Sequence, residues 1–136
     1  INHYLPLFES LEKLDSKWEE LLSSLKSPNS YDAISDFDIL LAEKDFESRF
    51  EQFVCYLIYR HMAKAEFEED AILYIGFAIL SLRLILSMGV NVFQKKGNFA
   101  IEDLLELVRL FSCEIEYSDE NTDKILDYLD GEIFPS

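Results

Sequence analysis

Residues 46–93 read FESRFEQFVCYLIYRHMAKAEFEEDAILYIGFAILSLRLILSMGVNVF. Two helices are expected here, about 46–64 and 70–92, apolar on almost every side. They hold three arginines, Arg49, Arg60 and Arg83. Residues 53–59 (FVCYLIY) and 71–82 carry no charge, so in a water-soluble fold both helices must be covered. Phe46, Phe50, Phe53, Val54, Leu57 and Ile58 mark the main face of the first helix. Arg60 follows Phe53 by seven residues and His61 follows Val54 by seven, which places both in register with core positions. The second helix is long enough to span a bilayer. Arg83 sits near its middle, however, where insertion costs about 2.5–3.5 kcal/mol. Its neighbours are amphipathic, so a central helix of a bundle is the expectation and no membrane span is assigned.

Outward from this hairpin the pattern stays helical. Leu7, Leu11, Leu14, Trp18, Leu21, Leu22 and Leu25 recur at spacings of three and four, predicting one amphipathic helix over 7–25. Ser27-Pro28-Asn29-Ser30 stops it. A short helix from Ser35 should bend near 43–45. Lys96-Gly97-Asn98 turns the chain into a fifth helix over 100–117, with Ile101, Leu104, Leu105, Val108, Phe111 and Ile115 on one face. Ile125, Leu126 and Leu129 suggest a short last helix ended by Gly131. The 136 residues contain four glycines and three prolines, too few for a turn-rich β fold. The expected architecture is an all-α bundle of five or six helices around the central hairpin. A single α-helical domain over 1–136 is expected.

Acidic residues outnumber basic ones 27 to 12, for a formal net charge of −15. Nucleic acid would be repelled and no basic cluster offsets this, so it is not an expected partner. A lysine-bearing protein would be attracted. Cys55 and Cys113 both fall inside helical patterns and read as buried thiols in a reducing, cytoplasmic setting. They form no C-x-x-C pair, and neither His3 nor His61 is preceded by Glu at the third position. No metal site and no catalytic constellation is therefore assigned.

What remains is a set of charges in apolar surroundings, Arg60, His61, Arg83, Glu114 and Glu116. At 100° per residue the two glutamates flank Ile115, so one could meet an arginine from the hairpin. This set reads either as a polar pocket that fixes a ligand or as ion pairs that hold the bundle together, the second being commoner for buried charges. Tyr56 and Tyr59 read as core residues with paired hydroxyls.

The run FEQFVCYLIYRHMAKAEFEEDAILYIGFAILSLRLIL, followed by EDLLELVRLFSCEIEYSDENTDKIL, resembles the C-terminal portion of flagellin lysine-N-methylase-like proteins. The features that match are Tyr59-Arg60-His61 with Lys64, Asp70, Phe77-Ala78-Ile79-Leu80-Ser81, and Ser112–Asn121 as S-x-E-I-E-x-S-D-E-N. The resemblance covers about residues 46–129. It implies a family that methylates flagellin lysines with S-adenosylmethionine, a protein-lysine methyltransferase whose N-terminal cysteine cluster is associated with an iron–sulfur centre. That cysteine cluster has no counterpart in the chain. The resemblance therefore implies a fragment, consistent with a first residue other than Met: a helical accessory or substrate-binding domain, inactive alone and with no cofactor of its own. Its implied partners are an N-terminal domain of the same protein and flagellin. A stand-alone interaction or scaffold domain is the alternative, with homodimerisation left open.

Overall fold

The computed structural model describes residues 1–135. It is all-α: seven α-helices and one π-turn, with no strand among the described residues. The order is α1 (Leu5–Ser10), α2 (Ser16–Ser24), α3 (Tyr31–Glu43), α4 (Glu47–Met62), α5 (Glu68–Lys96), α6 (Ile101–Phe111), the π-turn Ser112–Glu116, and α7 (Asp119–Ile133). The 29-residue α5 is the hub, touching α2, α3, α4, α6 and α7. Asp70 Oδ2 accepts from the Glu66 and Phe67 N–H groups at its start, and Gly97 closes it at φ 75°, a left-handed cap that suits glycine. By length and composition α5 could cross a membrane. In the fold, Phe77, Ala78, Leu80, Leu84, Ile85 and Met88 are buried, while Ile72, Ile75 and Ile79 stay exposed.

The expected hairpin is present as α4 and α5, with bounds within a few residues of those read from the pattern. Phenylalanines fill the two ends of the core. Phe37 from α3 and Phe46 pack on Phe99 at ring-centroid distances of 5.1 and 5.8 Å. Trp18, Phe53 and Phe77 surround Phe111 at 6.5, 5.8 and 6.4 Å. The helix count exceeds five or six for a local reason. The stripe over 7–25 is two helices rather than one, broken over 11–15, and Leu14 is 76% exposed instead of buried. The Leu14 and Asp15 N–H groups donate to the Glu114 carboxylate at 2.9 and 2.7 Å. Asn121 accepts from Glu12 N–H and donates to Glu12 C=O. Partners one hundred residues away thus take the hydrogen bonds that a continuous helix would make.

Four further expectations are corrected. The helix placed at Ser35 begins at Tyr31, capped by Ser30, whose side chain accepts from Ala33 N–H. The bend near 43–45 is real, with Asp45 at φ 55°, a conformation that Asp tolerates better than most residues. The fifth helix gives way to a π-turn at Ser112, and its buried face is Leu104, Leu107, Leu110 and Phe111, leaving Leu105 58% exposed. The last helix runs past Gly131 to Ile133, because no left-handed residue stops it there. Cys55 and Cys113 are both exposed, since each lies on the outer side of its helix while Leu57 and Ile115 point inward.

Candidate functional site

The five charged candidates separate into three places. Arg60, His61 and Glu116 meet where the C-terminal end of α4 faces the π-turn. Arg60 Nε lies 3.0 Å from Glu116 Oε1, and the Glu116 side chain has no exposure at all. Ser112 Oγ donates to Glu116 Oε2 at 2.9 Å. The Arg60 guanidinium also rests 5.4 Å from the Tyr117 ring centroid, a cation–π arrangement. Hydrogen bonding to Glu116, then burial, pushes the Tyr56 phenol above its ordinary value. A wider turn explains why both glutamates are buried. In an ordinary helix, residues two apart point in well-separated directions, whereas the π-turn puts Glu114, Ile115 and Glu116 all inside.

Glu114 faces away from the arginines. Its carboxylate is filled by the Leu14 and Asp15 N–H groups, so it serves to hold the α1–α2 break. Arg83 is exposed and forms no salt bridge among the described residues. Hydrogen bonding to Glu132, then burial, raises the Tyr4 phenol above its ordinary value, with the positive charge of Arg83 opposing the rise. The expected pairing of Arg83 with Glu114 or Glu116 does not occur: Glu116 meets Arg60, and Glu114 accepts from the Leu14 and Asp15 N–H groups. Tyr56 and Tyr59, at 44% and 81% exposure, are not core residues either.

His61 is the least satisfied member of the set. It is 2% exposed, and neither Nδ1 nor Nε2 has a hydrogen-bond partner. Its ring stacks on Tyr74 at 5.9 Å and meets Phe77 edge-on at 5.3 Å. Burial, reinforced by Lys64 and Arg60, lowers its pKa against an opposing pull from Glu116, so the imidazole is held neutral at pH 7. A cavity of about 150 Å³ opens beside it, lined by Arg60, Lys64, Tyr74, Tyr117 and Asp123 among others. Burial and the nearby Asp70 and Asp123 push the Tyr74 phenol upward. Tyr74 and the α7 aspartates escaped the sequence reading. The signal for the latter was present, since Asp123, Asp127 and Asp130 are spaced four and three apart on the expected last helix, but an acidic outer helix face is ordinary and does not show which neighbours it meets.

The donor set does not suit an iron–sulfur cluster. Such clusters take Cys₄ or Cys₂His₂ ligation, whereas this chain has two cysteines on different elements, both exposed. No group of three or more His, Cys, Asp or Glu residues is placed to hold a metal ion among the described residues.

The family model for the C-terminal domain of FliB lysine N-methylase matches residues 1–134. No curated protein and no solved structure matches the chain.

Proposed function

Because this chain belongs to the FliB lysine N-methylase C-terminal domain family, with a role tied to flagellin lysine methylation, we propose that it is a helical substrate-binding or accessory domain, inactive alone. Methyl transfer from S-adenosylmethionine and the iron–sulfur centre would then belong to an N-terminal domain of the same cytoplasmic protein. The observation that carries this reading is the match of the family model for the C-terminal domain over residues 1–134. The chain's buried carboxylate, Glu116, is held by Arg60 and Ser112, and its buried imidazole touches aromatic rings. The charge of −15 favours association with lysine-rich surfaces.

The reading is tested by mixing the chain with flagellin and, separately, with S-adenosylmethionine. Calorimetry should detect flagellin binding and no methylation. Micromolar affinity for S-adenosylmethionine, or methyl incorporation into flagellin by this chain alone, would overturn it. Iron bound at one equivalent or more after anaerobic reconstitution would do the same for the assignment of the cluster elsewhere.

A second reading, a scaffold without a ligand, is supported by the Arg60–Glu116 ion pair, which balances the buried carboxylate's charge within the chain. Loss of flagellin binding in a folded variant at the cluster would exclude it.

A further inference from the structure

The face of α5 turned away from the core is apolar. Ile72, Ile75, Ile79, Leu82 and Leu86 recur at alternating spacings of three and four, and at 100° per residue they fall within an arc of about 80°. That arc lies opposite Phe77, Ser81, Leu84 and Met88, which are buried. Ile72, Ile75 and Ile79 are 46, 41 and 51% exposed, and Leu82 and Leu86 are half-buried. Arg83 is the one charged residue over 71–94. Ile133, 40% exposed, widens the stripe, since its Cδ1 would stand 3.6 Å from a Cβ at Gly76. At the other end Leu86 leads into a hollow of about 430 Å³ between α3, α4 and α5, walled by Ile34, Leu41, Phe50 and Val90. Together Ile133 and the five stripe residues expose on the order of 400 Å², a patch of the size that marks an interaction surface. A standard interface takes about 800 Å² from each partner, a little over half of it apolar. The stripe with its polar rim therefore matches one side of a dimer.

We propose that a second copy of this chain covers the stripe, α5 packing antiparallel on α5 about a two-fold axis at Ile79. Alternating three- and four-residue spacing of Ile and Leu is the pattern by which two helices interlock their side chains. A two-fold interface needs one self-complementary patch, and a stripe with no charge along its centre supplies it. The direction follows from the helix ends. Glu68, Glu69 and Asp70 open α5, so parallel helices would set the acids of both copies side by side. Antiparallel helices centred on Ile79 hold the two Glu68 residues about 33 Å apart, at 1.5 Å rise per residue, well beyond the Debye length at physiological salt. They bring Ile72 of each copy level with Leu86 of the other, over the hollow beside it. Arg83, which forms no salt bridge among the described residues, comes level with Ile75 of the other copy. The proposal stands independently of the substrate-binding reading above.

The test is analytical ultracentrifugation of the chain over about 5–500 μM, at about 0.05 and 0.5 M sodium chloride. A dimer should form in this range and tighten several-fold at the higher salt. Screening relieves the repulsion between two copies of charge −15, while the apolar contact persists. Ile79→Glu sets two carboxylates against each other on the axis and should weaken the dimer at least about tenfold. Ile79→Lys should do the same, and an equimolar mixture of the two variants should recover the dimer. Ile75→Glu should weaken it less, because the new carboxylate meets Arg83 of the other copy, and adding Arg83→Met should remove that advantage. Both isoleucines are exposed, so circular dichroism should show unchanged helix content in each variant. A dimer indifferent to Ile79→Glu would overturn the location, and equal losses in Ile75→Glu and Ile79→Glu would overturn the antiparallel arrangement. A chain that stays monomeric at every concentration would overturn the proposal. Phosphatidylcholine vesicles or flagellin, bound by that monomer and not by Ile79→Glu, would then take the place of the second copy.

Discussion

The Glu116 side chain is withdrawn from water completely, and its charge is balanced by Arg60 at 3.0 Å and a hydrogen bond from Ser112. Removing one partner of such a pair strands the other. Arg60→Met should therefore destabilise the fold by about 2–3 kcal/mol, below the cost for a fully buried pair because water still reaches the arginine. Arg83→Met should stay within about 0.5 kcal/mol, as expected of an exposed side chain with no salt bridge among the described residues. Urea denaturation of the two variants checks the contrast, and equal effects would contradict the placement of Arg83. His61 makes a second prediction. Its pKa in the fold lies below the ordinary 6.5, so as pH falls through 6.5 the unfolded chain takes up a proton that the native imidazole refuses. Stability from this group is complete above 6.5 and is lost as pH drops toward the folded pKa. The denaturation midpoint should fall between about pH 7.5 and 5.5, and His61→Phe should flatten that part of the profile.

At the scale of elements, two glycines test how the helices meet. Gly89 lies on α5 where an added Cβ would stand 2.9 Å from Phe37 Cζ and 3.5 Å from Phe99 Cζ. Gly89→Ala should cost about 1–3 kcal/mol, because a ring held on several sides cannot move aside freely. Gly131 is also helical, but a Cβ there meets nothing within 4 Å. Gly131→Ala should raise stability by about 0.4–1 kcal/mol through loss of unfolded-state freedom. Thermal melts of the pair measure both signs, and a destabilising Gly131→Ala would mean that α7 stops where the glycine first suggested. The motif S-x-E-I-E-x-S-D-E-N now has a physical account. Ser112 and Glu116 hold each other, Glu114 and Asn121 secure the α1–α2 break, and Ser118 accepts from Asn121 N–H to cap α7. Within one decapeptide it joins the first helices to the last.

For the molecule as a whole, charge is the dominant long-range property. A net −15 on 136 residues works against compactness and toward association with basic partners. Raising ionic strength from about 0.05 M to 0.5 M should increase the melting temperature while weakening flagellin binding at least about tenfold, since the Debye length shortens below the spacing of most surface charges. Calorimetry at the two salt concentrations follows both effects, and salt-insensitive binding would point instead to the exposed Ile72, Ile75 and Ile79 as the contact. By itself the sequence determined the all-α class and the α4–α5 hairpin, because helical periodicity and a long uncharged run are local properties that survive without knowledge of neighbours. It also singled out Arg60, His61 and Glu116. Only the tertiary structure decided that Arg60 rather than Arg83 meets Glu116 and that Glu114 breaks a helix a hundred residues earlier. It alone placed His61 beside Tyr74, in a cavity shared with Asp123 of α7. Those outcomes depend on which faces of separate helices are pressed together, and a π-turn of five residues shifts those faces without leaving a mark in the hydrophobic pattern.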